Sequence, residues 1–138
     1  MKQVMKCFAL GAAILLAPCS SIEARSVAST PKTEVEINIY SKWELPVYHA
    51  GIVIGKSEYY FDSDNHVRFV EPRQLKGWRF TRTVRRTVSK TPKEVLAAFS
   101  KVCDKWDGSR YDLDHSCVWF VEAVLKELGV KGLDKEYL

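Results

Sequence analysis

Cys117 and His49 carry the chemistry that this sequence could perform. Cys117 opens a stretch with helical apolar spacing, so its sulfur sits in the first helical turn, beside unpaired backbone N–H groups and the positive end of the helix dipole. That setting favours thiolate, the nucleophilic form, and supplies a backbone donor for an oxyanion. A thiol nucleophile needs a base, and His49 interrupts the apolar run Val47–Ile54 (VYHAGIVI), where a buried imidazole must find a partner. Together they would perform acyl transfer through a thioester intermediate. Each residue also has a plainer reading. His49 alone fits a hydrogen-bonded core histidine, and Cys117 could pair with Cys103 in an oxidising compartment. Cys103 lies beside an apolar helical stripe and reads as packing, His66 as a surface residue, and His115 as turned away from the sulfur.

The elements that must position these residues follow from periodicity. Val35, Ile37 and Ile39 alternate with Glu36, Asn38 and Tyr40, which predicts a half-buried strand from Glu34. Val47–Ile54 predicts a central strand. Gly55-Lys56-Ser57 then turns the chain into Glu58–Phe61 (EYYF) as a hairpin, and Asp62–Asn65 (DSDN) is the next turn. Further β character covers His66–Val70 and Trp78–Val88, punctuated by Pro72 and Gly77. Thr91, Pro92 and Glu94 form a capping box before Val95, Phe99, Val102 and Trp106 at helical spacing, and Asp107-Gly108 stops that helix. A second helix runs from near Cys117 to Leu128, with Phe120, Val121, Val124 and Leu128 on one stripe and Gly129 as its stop. Strands first and helices after define an α+β domain with an antiparallel sheet packed on helices.

The chain has 138 residues, of which 46% are hydrophobic and 28% charged, the mix of a globular domain and not of a disordered or disulfide-framework chain. Met1–Ala24 reads as a secretory signal peptide: Lys2 and Lys6 precede the apolar stretch Phe8–Ala17, and small residues run to Ala24. Ten apolar residues span about 15 Å as a helix, half of what a transmembrane anchor needs. Leu16-Ala17-Pro18-Cys19 loosely resembles a bacterial lipidation box, but Pro18 before the cysteine fits it badly. Removing Lys2, Lys6 and Glu23 with this segment lowers the net charge from +4 to +3 and takes Cys7 and Cys19 away. Residues 25–33 (RSVASTPKT) read as a flexible lead-in, and residues 34–138 as the domain. The product is expected in the periplasm or outside the cell. There is no Gly-rich phosphate loop or zinc-type cysteine spacing, so neither a cofactor nor a metal is expected.

Two segments carry a resemblance. Val47–Ile54 followed by Glu58–Phe61 resembles the "YHxGVxV…EYYF" block of the PPPDE family, the permuted papain-fold peptidases that include the deSUMOylating isopeptidases. Tyr111–Phe120 (YDLDHSCVWF) is similar to that family's "YxLxxxNCNxF" motif, and the likeness covers most of the chain from Glu34 to Leu128. The resemblance implies a circularly permuted papain-like fold, related to NlpC/P60 hydrolases, with Cys117 as nucleophile and His49 as general base. Tyr48 and Trp119, each beside a motif residue, are candidate substrate contacts. The sequence departs from the pattern at Ser116 and Val118, where the family has polar Asn residues that could assist the oxyanion or touch substrate. The implied activity is cleavage of an amide or isopeptide bond in a protein or peptide, ubiquitin-like modifiers included. A lipid-directed thioesterase or acyltransferase, and a non-catalytic binding module with a Cys103–Cys117 disulfide, are the competing expectations.

Arg68–Lys93 holds nine basic residues against Glu71 alone. As an edge strand this run needs no partner, because Lys and Arg guard edges. As a docking surface it would take an acidic protein or an anionic membrane. Nucleic acid is not expected, since no stacking platform or recognition motif accompanies the charge.

Overall fold

The computed structural model describes residues 30–138. The expected signal peptide, Cys7, Cys19 and most of the lead-in lie outside these residues. The chain runs through β1 (Thr33–Lys42), β2 (Leu45–Ile54), β3 (Ser57–Phe61), β4 (Val67–Val70), β5 (Arg79–Val88), α1 (Pro92–Trp106), α2 (Cys117–Glu127) and a 3₁₀ turn at Lys135–Tyr137. The five strands form one sheet in the order β4-β3-β2-β1-β5, and every neighbouring pair is antiparallel. This is the expected α+β arrangement, with β2 in the middle of the sheet.

Local chemistry accounts for the helix bounds. The Thr91 hydroxyl accepts from the Glu94 N–H at 3.2 Å while the Thr91 N–H donates to Glu94 Oε1 at 2.9 Å, closing the capping box at the start of α1. Gly129, at φ 75°, turns the chain out of α2 in the left-handed region that suits glycine. One face of the sheet carries Val35, Ile37, Ile39, Ala50, Ile52 and Phe61, packed on Val95, Phe99 and Val102 of α1 and Phe120, Val121, Val124 and Leu125 of α2. Burying each large apolar side chain there contributes about 1.5–3 kcal/mol.

The alternation in β1 predicts a half-buried strand, but the structure buries β1 on both faces. Asn38 and Tyr40 are fully buried, as is Glu58 on β3. Their face is covered by the connection between β4 and β5, whose Arg73 N–H donates to Glu58 Oε1 at 2.9 Å. Glu58 also accepts from Asn38 Nδ2 at 2.5 Å and from the Tyr40 hydroxyl at 2.6 Å, and Thr83 donates to Asn38 Oδ1 at 2.8 Å. Polar residues are therefore tolerated inside because they satisfy one another. Gly51 makes room for the group, since a Cβ there would lie 2.8 Å from Glu58 Cγ.

The basic run is largely spent within the fold. Arg85 pairs with Glu36 at 2.9 Å and with Glu34 at 3.6 Å, Arg73 with Glu36 and Arg82 with Asp134 each at 3.8 Å, and Arg68 with Asp64. Arg86 donates to the Lys131 and Gly132 carbonyls. Lys76, Arg79, Lys90 and Lys93 have no carboxylate partner among the described residues. No helix among the described residues is long and apolar enough to cross a membrane.

Candidate active site

Cys117 occupies the expected position, the first residue of α2, where Ser116 serves as N-cap without a side-chain hydrogen bond. The turn before it is held by a bridge in which Asp112 and His115 exchange backbone hydrogen bonds at 3.0 and 3.1 Å. The sulfur packs against β2, and its S–H points toward the Tyr48 carbonyl at 4.0 Å. The Tyr111 hydroxyl donates to Sγ at 3.8 Å. Cys117 is 3% exposed, and burial pushes its thiol up from the ordinary range. The Ala50 N–H, the Tyr111 hydroxyl and the Val118 N–H act in the opposite direction, each stabilising thiolate. The sulfur thus sits in a donor-rich but dry place.

A cleft of about 410 Å³ opens over Cys117, lined on one side by Pro46, Val47 and Tyr48 and on the other by Asp112, Leu113 and Ser116, with Trp78 and Tyr111 also in its walls. Of the two candidate substrate contacts, Tyr48 lines this cleft. Trp119 is instead partly buried against the hydrophobic core and is not among the cleft residues.

His49 lies on the other face of the sheet. It pairs across β1–β2 with Tyr40, whereas Ala50 pairs with Ile39 and points at the helices. Aromatic rings enclose the imidazole: Trp78 at 5.2 Å, Tyr60 at 5.3 Å and Tyr40 at 5.7 Å between centroids. Nε2 is buried and has no hydrogen-bond partner among the described residues, and burial lowers the imidazole from 6.5 to about 3. His49 is therefore a neutral base with an unused lone pair or proton, and not the hydrogen-bonded core histidine of the plainer reading. Among the described residues no hydrogen bond joins His49 to Cys117; the two line adjoining cavities of about 320 and 410 Å³ whose shared walls are Trp78 and Tyr111.

The other sulfur and imidazoles fall where their sequence contexts suggest. Cys103 and Cys117 are both free thiols, so the disulfide of the binding-module reading is not formed. Burial, reinforced by Asp104 and Asp107, pushes the Cys103 thiol up to about 12. His115 stacks on Trp106 at 3.6 Å and its Nε2 shares a hydrogen bond with Ser109 Oγ at 2.7 Å. His66 is on the surface against Asp107 at 3.1 Å. The buried Glu58 and the Tyr111 contact to sulfur were not foreseen in the sequence. Gly51 opposite Asn38 was a signal for the first, because a glycine in a central strand marks a close approach. No group of side chains suited to a metal ion occurs among the described residues.

No family model matches the chain, and neither a curated protein nor a solved structure matches it.

Proposed function

We propose that this protein is a thiol hydrolase of the permuted papain-like type, exported through residues 1–24, with Cys117 as nucleophile and His49 as general base. The observation that carries the proposal is the environment of Cys117: a thiol at a helix N-terminus, at the wall of an open cleft, with the Tyr111 hydroxyl and the Ala50 and Val118 N–H groups directed at it. The paired motifs around His49 and Cys117 support the same reading. Both groups rest neutral, because burial raises the thiol and lowers the imidazole. As sulfur attacks the carbonyl carbon, its proton passes to the Tyr111 hydroxyl, which contacts Sγ and borders both cavities, while that hydroxyl gives its own proton to the imidazole. The C–O double bond opens to an oxyanion held by backbone N–H groups at the start of α2. Its collapse breaks the bond to the leaving amine, which takes a proton from the Tyr111 hydroxyl as the imidazolium returns one to it. Water then hydrolyses the acyl-enzyme, returning the thiol.

The apolar side chains of Pro46, Val47, Leu113 and Val118 in the cleft favour a second reading on the same residues, in which the bond cleaved is an acyl thioester. Labelling with an acyl electrophile tests the common chemistry. Cys117→Ala and His49→Ala are expected to abolish labelling and Cys103→Ala to preserve it, with circular dichroism confirming the fold of each variant. Undiminished labelling of both folded dyad variants overturns the proposal. Turnover of acyl-thioester against isopeptide-linked ubiquitin-like substrates separates the two readings.

A further inference from the structure

The turn joining β1 to β2 is built in a way that folding does not require. Lys42 pairs with Leu45, so Trp43 and Glu44 form a two-residue hairpin turn. Trp43 adopts φ 48°, a left-handed conformation normally given to Gly or Asn in such turns and costly for a bulky ring. The residue is nonetheless a tryptophan, and it stands 73% exposed. Leu45 beside it is 60% exposed and Leu113, across the cleft, 88%, with Val47 exposed between them. Cations frame these side chains. The Arg79 guanidinium lies 5.9 Å over the Trp43 ring and Lys42 Nζ lies 5.0 Å over the Trp78 ring, while Lys76 follows in the β4–β5 connection. Glu44 is the one acid at the turn; Asp112 and Glu136 lie at the cleft.

We propose that this tip is a membrane-docking surface that inserts Trp43 and Leu45 into the headgroup region of an anionic bilayer while Lys42, Lys76 and Arg79 engage the lipid phosphates. Tryptophan favours the boundary between headgroups and acyl chains, and exposed aliphatic residues gain by leaving water there. Basic side chains whose stems lie along aromatic faces supply the matching charge, worth about 1 kcal/mol each near such a surface. Lys76 and Arg79 belong to the few cations of the basic run that no carboxylate neutralises among the described residues, which is what a lipid-facing charge requires. Pro46, Val47 and Leu113 continue the apolar rim into the cleft, so a docked molecule presents its cleft at the bilayer surface. The inference concerns docking and does not depend on the thiol chemistry.

Tryptophan fluorescence of the full chain with vesicles carrying brominated acyl chains tests it. The tryptophans are Trp43, Trp78, Trp106 and Trp119, so the first 29 residues contribute no signal. Quenching is expected with vesicles of phosphatidylglycerol and phosphatidylcholine, and Trp43→Phe is expected to remove most of it. Lys42→Gln with Arg79→Gln is expected to weaken binding to these vesicles about thirtyfold. Equal quenching in Trp43→Phe, equal response to pure phosphatidylcholine, or no response to any protein-free vesicle overturns the proposal; the last outcome points to a protein partner.

Discussion

Replacing His49 with Phe should make the protein more stable in mild acid and inactive at every pH. In the fold the imidazole stays neutral down to about pH 3, whereas in the unfolded chain it charges near 6.5. Between these values the unfolded state binds more protons, so stability falls as pH falls through that window. From pH 8 to pH 5 the linkage amounts to about 2 kcal/mol, a sizeable part of the roughly 5–15 kcal/mol that holds a domain of this size. Phe meets the same three rings, Tyr40, Tyr60 and Trp78, without charging and without an unpartnered Nε2. Removing an unsatisfied buried polar atom is itself worth about 1–3 kcal/mol. The paired carboxylates do not blur the window. The Arg68 guanidinium holds Asp64, and the Val67 N–H holds Asp107, below the usual carboxylate range, so their contributions are lost only as pH drops below about 4. Urea unfolding at pH 8, 6.5 and 5 should show the wild-type midpoint falling by about 1 M while the variant's stays level. A wild-type midpoint that does not change across this range, or an imidazole that titrates near 6.5 by NMR in the folded protein, would refute the reasoning.

Other outcomes follow from the same contacts. Tyr111→Phe deletes the hydroxyl that favours the Cys117 thiolate, so the pH at which iodoacetamide alkylation of Cys117 accelerates should move upward; an unchanged profile removes Tyr111 from the site. Cys103, pushed up to about 12, should stay unmodified at pH 8 in the native protein, as peptide mass mapping after alkylation would show. Glu58→Gln turns an acceptor of three hydrogen bonds into a group that must aim N–H at a donor, costing about 1–3 kcal/mol by urea unfolding. Gly51→Ala, which drives a methyl group into Glu58, should cost a similar amount by the same assay.

What the sequence discloses follows the range of the interactions. The α1 capping box lies within four residues and reads directly from Thr91, Pro92 and Glu94. The start of α2 at Cys117 reads from the 3.6-residue recurrence of Phe120, Val121, Val124 and Leu128. β2 was recognisable from its apolar run, though it begins earlier, at Leu45, because Pro46 falls at the register shift between Ser41↔Tyr48 and Lys42↔Leu45, where its missing N–H costs no ladder bond. The burial of Asn38, Tyr40 and Glu58 was not legible, since it depends on residues 71–78 folding back over the sheet. Alternation in β1 reports only that two faces differ, not that the polar one is exposed. For the same reason His49 could be named as a polar ring in an apolar strand, but not assigned to a face relative to Cys117. That assignment needs the pairing of β2 with β1, a contact nine residues apart in sequence at Tyr40↔His49 and set by the turn at Trp43.

The sheet stands between the thiol and the imidazole, and this decides where a proton could pass. The β2–β3 register runs from Ile54↔Ser57 to Ile52↔Tyr59, so Tyr48, His49 and Ala50 lie beyond it. Here β2 keeps only β1 as a ladder partner, and here Tyr111 reaches Sγ from the turn before α2 while also lining the His49 cavity. Trp78 closes the same end from the β4–β5 connection, packed on His49 and bordering the Cys117 cleft. A ladder continued to Ala50 would seal the two faces from each other with backbone hydrogen bonds. Past the end of that register the side chains of Trp78 and Tyr111 line both cavities. The connection that carries Trp78 is tied to the sheet five residues earlier, where the Arg73 N–H donates to Glu58.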